Sequence, residues 1–259
     1  MGGDRMRPTR RELLGMTIAG LLVPAAAPRA AHGATIKAMA FDAFAIFDPR
    51  PIAALAERLV PGRGRELIEA WRARQFEYQW LRALSGRYAD FRKSTADALA
   101  YAADLLRLDL TPDARRALLD SYLQLTAWPD VAGALATLKR AGLRLALLSN
   151  ATPAILLAGI ANAGLDGVFE HVLSTDALRT YKPDPRAYRL ALDAFQLYVD
   201  EIVFVPSAGW DAAGAKAFGY PTFWVNRTGL PAEQLDLAAD ETGRDLDDLL
   251  AYLPTIRSA

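Results

Sequence analysis

The chain has 259 residues, 52% hydrophobic and 23% charged, enough for one or two globular domains with a sizeable core. Lys plus Arg and Asp plus Glu both number 30, so no basic excess marks a nucleic-acid footprint. Cysteine is absent, which excludes disulfides, zinc-thiolate sites and thiol catalysis; the two histidines, His32 and His171, are too far apart for a His-rich metal site.

Residues 1–33 read as an export signal. A basic start precedes an apolar stretch over 13–23 and then small residues, which is too short for a comfortable membrane span. Arg10 and Arg11 stand directly before the apolar stretch, as in a twin-arginine leader, and "AHGA" offers a cleavage point near Gly33. The expectation is a periplasmic mature protein with no membrane partner. The alternative is a cytoplasmic one, if the leader is not used.

From residue 36 short apolar runs alternate with longer amphipathic segments. "IKAMAF" is the first run; "LRLALLS" (143–149), "HVLS" (171–174), "IVFVP" (202–206) and "TFWVN" (222–226) are the others. Several are apolar on both faces, as buried parallel strands are. "DVAGALATLKRAG" and "TPAILLAGIANAG" are helices that stop at Gly142 and Gly164. This βαβ rhythm predicts a doubly wound parallel α/β sheet.

The rhythm breaks between Phe47 and about Trp128, where only helical patterns appear. Leu67, Trp71, Tyr78 and Leu81 recur at helical spacing, and "STADALAYAADLLRLDL" is a second helix. A third begins at "LTPDARR", with Thr111 as its N-cap and Pro112 in its first turn. Residues 49–128 are therefore expected to form a helical cap over the carboxyl edge of a core made of 34–48 and 129–259. Open α/β sheets bind ligands at that edge. The acidic tail from 230 onward gives no clear pattern.

Four polar positions fall at the predicted strand ends: Asp42, the pair Ser149 and Asn150, Lys182 in "TYKPDP", and Asp211 after "FVPSAGW". Each alone has an ordinary reading as a turn acid, helix cap or solvated loop residue. Together, at one sheet edge, they form a candidate site. Their order, with "WRARQFEYQWLRALSGRYADF", "LLSNATP", "YKPDPRAY" and "GWDAAGAKAFGYPTFWVNRTG", resembles the type II 2-haloacid dehalogenases of the haloacid dehalogenase superfamily, over residues 36 to about 230.

The resemblance implies a Rossmann-like parallel sheet with an inserted helical cap. It also implies hydrolysis of short L-2-haloacids to D-2-hydroxy acids through an ester on Asp42, with no metal or other cofactor, and dimerisation through cap helices. Phosphatases of this superfamily carry a second acid two residues after the first, and an acid pair that holds magnesium. Here Phe44 stands at +2 and only Asp211 follows the fourth strand. A halide departs without protonation, so a lone carboxylate suits a carbon–halogen bond better than a phosphate ester. By resemblance Lys182 keeps Asp42 ionised, supported by Tyr188. Arg72 and Asn150 receive the halide, Ser149 and backbone amides hold the substrate carboxylate, and Asp211 directs water. Phe44, Phe76, Phe91 and Trp210 line the apolar cleft.

The chain departs from the family pattern in two places. The segment after Asp42 is one residue short and lacks a threonine, and the usual Ser and Asn before the last acid are replaced by Pro206 and Ala208, with Ser207 between them. Two other readings follow from these losses: a different hydrolase on the same scaffold, such as a phosphatase, or a non-catalytic periplasmic protein that binds small carboxylates.

Overall fold

The computed structural model describes residues 35–257, with side chains to 253, so the expected leader lies outside the described residues. A parallel sheet is the centre of the fold. Strand β1 (Ala38–Phe41) is followed by a single helical turn α1 (Ala43–Ile46), a two-residue strand β2 (Phe47–Asp48), and four helices: α2 (Arg50–Leu59), α3 (Gly64–Leu84), α4 (Phe91–Leu105) and α5 (Pro112–Asp120). Strand β3 (Thr126–Ala127) pairs antiparallel with β2 and closes this helical insert. The alternation then resumes: α6 (Val131–Arg140), β4 (Arg144–Ser149), α7 (Pro153–Asn162), β5 (His171–Ser174), α8 (Pro185–Phe195), β6 (Ile202–Val205), α9 (Gly209–Phe218), β7 (Phe223–Val225), β8 (Glu241–Gly243) and α10 (Leu246–Arg257).

The main sheet runs β5-β4-β1-β6, all parallel. The last expected strand, β7, does not join that ladder fully. It pairs with β8, and a parallel bridge from Phe204 to Thr222 attaches the pair beside β6. The acidic tail gave no sign of β8, whose residues Glu241 and Thr242 are exposed and lack an apolar alternation.

Side-chain alternation explains the layering. In β1, β4 and β6 the residues Met39, Phe41, Leu145, Leu147, Val203 and Val205 enter one apolar cluster with α6, α7 and α10. Ala38, Ala40, Ala146, Leu148, Ile202 and Phe204 enter the other, with α8 and α9. Both faces are covered, so the strands read as unbroken apolar runs. Gly142 and Gly164 end α6 and α7 at φ +82° and +64°, a backbone conformation that costs glycine nothing. Thr111 accepts the Ala114 N–H and caps α5 as expected.

The insert is less regular than its apolar pattern suggested. Leu67 and Trp71 are buried on α3, but Tyr78 is half-buried and Leu81 is 59% exposed. The buried stripe continues instead through Gln75 and Gln79, one and two turns beyond Trp71. Two glutamines at core positions are invisible to a reading of hydrophobic period. They matter for the site.

Candidate active site

The strands of the main sheet end almost level, with Phe41 paired to Leu147 and to Val205. Asp42 leaves β1 at that edge, its N–H bonded to the Val205 carbonyl at 3.0 Å. It caps α1, its Oδ2 accepting the Phe44 N–H at 3.0 Å. The Ser207 hydroxyl, from the loop between β6 and α9, donates to the same oxygen at 2.9 Å. Oδ1 accepts from Lys182 Nζ at 3.0 Å.

Lys182 is the centre of the cluster. Its side chain is 1% exposed, and its ammonium also donates to Asp211 Oδ2 at 2.5 Å and to the Leu148 carbonyl at 3.1 Å. Three acceptors match its three donors. Burial alone would lower its pKa; Asp211 and Asp42 outweigh that and hold it above the ordinary lysine value. Asp211 lies in the first turn of α9. Burial pushes its carboxyl up to about 6, Asp42 adding to the rise while Lys182 and Tyr188 oppose it. An ammonium thus bridges two buried carboxylates. Asp211 is poised to exchange a proton near pH 6.

Tyr188 corrects an expectation. Expected to support Lys182 and line the cleft, it is fully buried, and its hydroxyl donates to Asp211 Oδ1 at 2.8 Å. Burial raises its pKa well above the usual tyrosine value, with Asp211 adding to the shift. The approach needs a glycine, because a Cβ on Gly214 would lie 2.4 Å from the Tyr188 hydroxyl and 2.8 Å from Pro183.

At the end of β4, Ser149 accepts the Ala151 N–H at 3.2 Å, which leaves its own proton free to donate. Asn150 Oδ1 accepts the Lys182 N–H at 2.8 Å and the Thr175 hydroxyl at 3.3 Å. That fixes its Nδ2 as the donor to Gln79 Oε1 on α3, at 3.4 Å. Trp80, the next residue, donates to the Lys182 carbonyl at 3.1 Å. The insert therefore reaches the end of β4 through Gln79 and the loop that carries Lys182 through Trp80.

A cavity of about 270 Å³ lies between the insert and the sheet edge, lined by Phe44, Arg72, Gln75, Phe76, Phe91 and Tyr122 among others. Burial pushes the Tyr122 hydroxyl up to about 12, with nearby Arg72 opposing the shift. Trp210 departs from its expected place. It stacks edge-on against Phe76 and Trp80 at 5.2 and 5.5 Å and lines a separate apolar groove of about 930 Å³ with Trp80 and Leu84. Phe44 joins the two halves of the site: its N–H holds Asp42 and its ring faces the cavity.

The structure thus gathers Asp42, Lys182 and Asp211 into one cluster, with Asn150 on its flank, and places Arg72, Phe44, Phe76 and Phe91 around one cavity. Ser207 is the residue whose role the sequence left open. Its neighbours Pro206 and Ala208 suggested a depleted loop, yet its hydroxyl reaches Asp42. Gln79 gave no signal at all.

Comparison with known proteins agrees with this geometry. The model of the haloacid dehalogenase-like hydrolases matches residues 23–219. The (S)-2-haloacid dehalogenase of Pseudomonas sp. (strain YL) is 44% identical over 206 residues, 79% of this chain and 89% of that protein. The crystal structure of the L-2-haloacid dehalogenase RSc1362 superposes with a TM-score of 0.83 at 44% identity, covering 85% of this chain and 99% of that one. The Xanthobacter autotrophicus L-2-haloacid dehalogenase with chloropropionic acid covalently bound gives a TM-score of 0.77 at 38% identity, over 85% and 99% of the two chains. With its sheet edge, buried ion cluster and helical insert, the chain belongs to the haloacid dehalogenase-like hydrolase family and groups within it with the L-2-haloacid dehalogenases.

Proposed function

We propose that the protein hydrolyses short-chain L-2-haloacids to D-2-hydroxy acids, with Asp42 as the nucleophile. The observation that carries this reading is the Lys182 ammonium bonded to both Asp42 and Asp211, next to a cavity that Phe44 and Arg72 line among others. A carboxylate in such a site would tend toward its neutral form; the ammonium opposes that. Asp42 attacks C2 from the side opposite the halogen, which inverts the centre and expels halide. Arg72, lining the cavity, receives the anion. Asn150, anchored through its Oδ1, presents an Nδ2 whose bond to Gln79 is 3.4 Å long and which can donate to the halide instead. Ser149, with a free hydroxyl proton, suits the substrate carboxylate. Asp211 then takes a proton from the water that attacks the ester.

The test is halide release from the two enantiomers of 2-chloropropionate. Release from the L form alone, with D-lactate as product, is the expected result. Lactate binding without halide release would instead favour a carboxylate-binding protein, and magnesium-dependent phosphate release a phosphatase. We further propose periplasmic export through the twin-arginine leader; replacing Arg10 and Arg11 with Lys should leave the protein in the cytoplasm, and unchanged export would refute this.

A further inference from the structure

The hydrogen bonds of Asp42 distinguish its two oxygens. A carboxylate oxygen has about two in-plane lone pairs. On Oδ2 both are occupied, by the Phe44 N–H at 3.0 Å and the Ser207 hydroxyl at 2.9 Å. Oδ1 accepts from Lys182 Nζ at 3.0 Å and keeps one pair open. Only an open pair can attack carbon. We propose that Oδ1 is the attacking atom and leaves with the product, while Phe44 N–H and Ser207 O–H form the oxyanion hole on Oδ2, making Ser207 a catalytic residue of ester hydrolysis. This rests on the dehalogenation proposed above.

The steps balance. Oδ1 forms a bond to C2 as the carbon–halogen bond breaks, and Oδ2 becomes the ester carbonyl oxygen, already held by two donors. Water adds to Cγ, giving its proton to Asp211, and the negative charge develops on Oδ2. Donors fixed in place before the charge forms are worth far more than solvent. Collapse of this intermediate restores the Oδ2 carbonyl and breaks the Cγ–Oδ1 bond. Oδ1 departs as an alkoxide and takes a proton from Lys182, which is already bonded to that atom. Asp211, 2.5 Å from Lys182, returns the proton it took from water. The new water oxygen and Oδ2 then form a carboxylic acid, which loses the second water proton to solvent and restores the carboxylate. Pro206 and Ala208 carry no side-chain donor, so in this loop Ser207 supplies the hydroxyl that meets Asp42.

Rapid-quench measurements with L-2-chloropropionate on the wild type, Ser207→Ala and Ser207→Thr test the assignment. In Ser207→Ala the first turnover should release halide at close to the wild-type rate while ester hydrolysis slows about 100-fold, the usual loss for one oxyanion donor. The result is a burst of halide equal to the enzyme present, with a 1-carboxyethyl ester on the Asp42 peptide. Ser207→Thr, which restores a hydroxyl, should recover turnover. Two outcomes would overturn the inference: unchanged turnover in Ser207→Ala, or first-turnover halide release that falls as far as steady-state turnover, which is the signature of a misplaced nucleophile. A wild type that releases no halide would sink the dehalogenase reading itself, a result distinct from either.

Discussion

The sheet edge and the helical insert meet at the site, and they position their residues by different means. At the edge, backbone register does the work: the ends of β1, β4 and β6 are level, so Asp42, Ser149 and the loop bearing Ser207 emerge side by side. In the insert, side chains do it: Gln79 and Trp80 on α3 reach Asn150 and the Lys182 carbonyl by long or single hydrogen bonds. The edge carries the buried ion cluster, and the insert supplies much of the cavity wall, including Arg72, Phe76 and Phe91. Changes at the edge should therefore strike the chemical steps, and changes in the insert should strike substrate choice.

The largest effect belongs to Lys182→Met. It removes the cation between two buried carboxylates, so activity should vanish and stability should fall by about 3–5 kcal/mol, read from chemical denaturation. Loss of activity with stability unchanged would mean that Asp42 and Asp211 are not held by the ion pair. The same variant tests the contrast, since no single change in the insert should approach it.

The pH profile comes next. Asp211 serves as base only when ionised, and burial pushes its carboxyl up to about 6. Turnover limited by ester hydrolysis should therefore rise with pH through about 6 and be roughly tenfold lower at pH 5 than at pH 8. Stability carries the opposite sign. The folded chain holds this proton more tightly than the unfolded chain, so Asp211's contribution is fully present below the ordinary value of 3.8 and is lost as pH rises through about 6. A rate that is flat from pH 5 to 8 would remove Asp211 from the role of base.

Gly214→Ala probes the packing behind that base. The added methyl would drive the Tyr188 hydroxyl off Asp211, and overpacking of this kind costs about 1–3 kcal/mol. Turnover should fall several-fold, with the pH limb displaced. Tyr188→Phe should displace the limb without the packing cost. An unmoved limb in both variants would disconnect Tyr188 from the titration.

The smallest effect is expected in the insert. Gln79→Leu removes the partner of Asn150 and should cost about 1 kcal/mol of stability. It should change KM and the preference between chloride and bromide as leaving group, with ester hydrolysis intact. If hydrolysis instead slowed as much as in Ser207→Ala, the division between edge and insert would fail.

What could be read beforehand follows the same division. Parallel strands buried on both faces announce themselves as apolar runs, and β1, β4, β5 and β6 all lie where those runs place them. Once the strands are ordered, Asp42, Lys182 and Asp211 must share an edge, and they do. Strand β8 was not legible, because a short exposed edge strand needs no apolar alternation. On α3 the buried Gln75 and Gln79 interrupt the apolar pattern, so Leu81 was assigned to a face that is exposed. Tyr188 was assigned to Lys182, and its bond to Asp211 was not foreseen from the sequence. Ser207 was undecidable from sequence because its side-chain direction depends on how the loop leaves β6.

The central claim is that the Asp42 carboxyl group becomes the ester. A single turnover of L-2-chloropropionate in heavy-oxygen water, followed by the mass of the Asp42 peptide, tests it directly. One heavy oxygen in that peptide and none in the lactate is the expected outcome. Halide release with an unlabelled Asp42 peptide and labelled lactate would mean that water attacks the haloacid itself, and the account would be wrong.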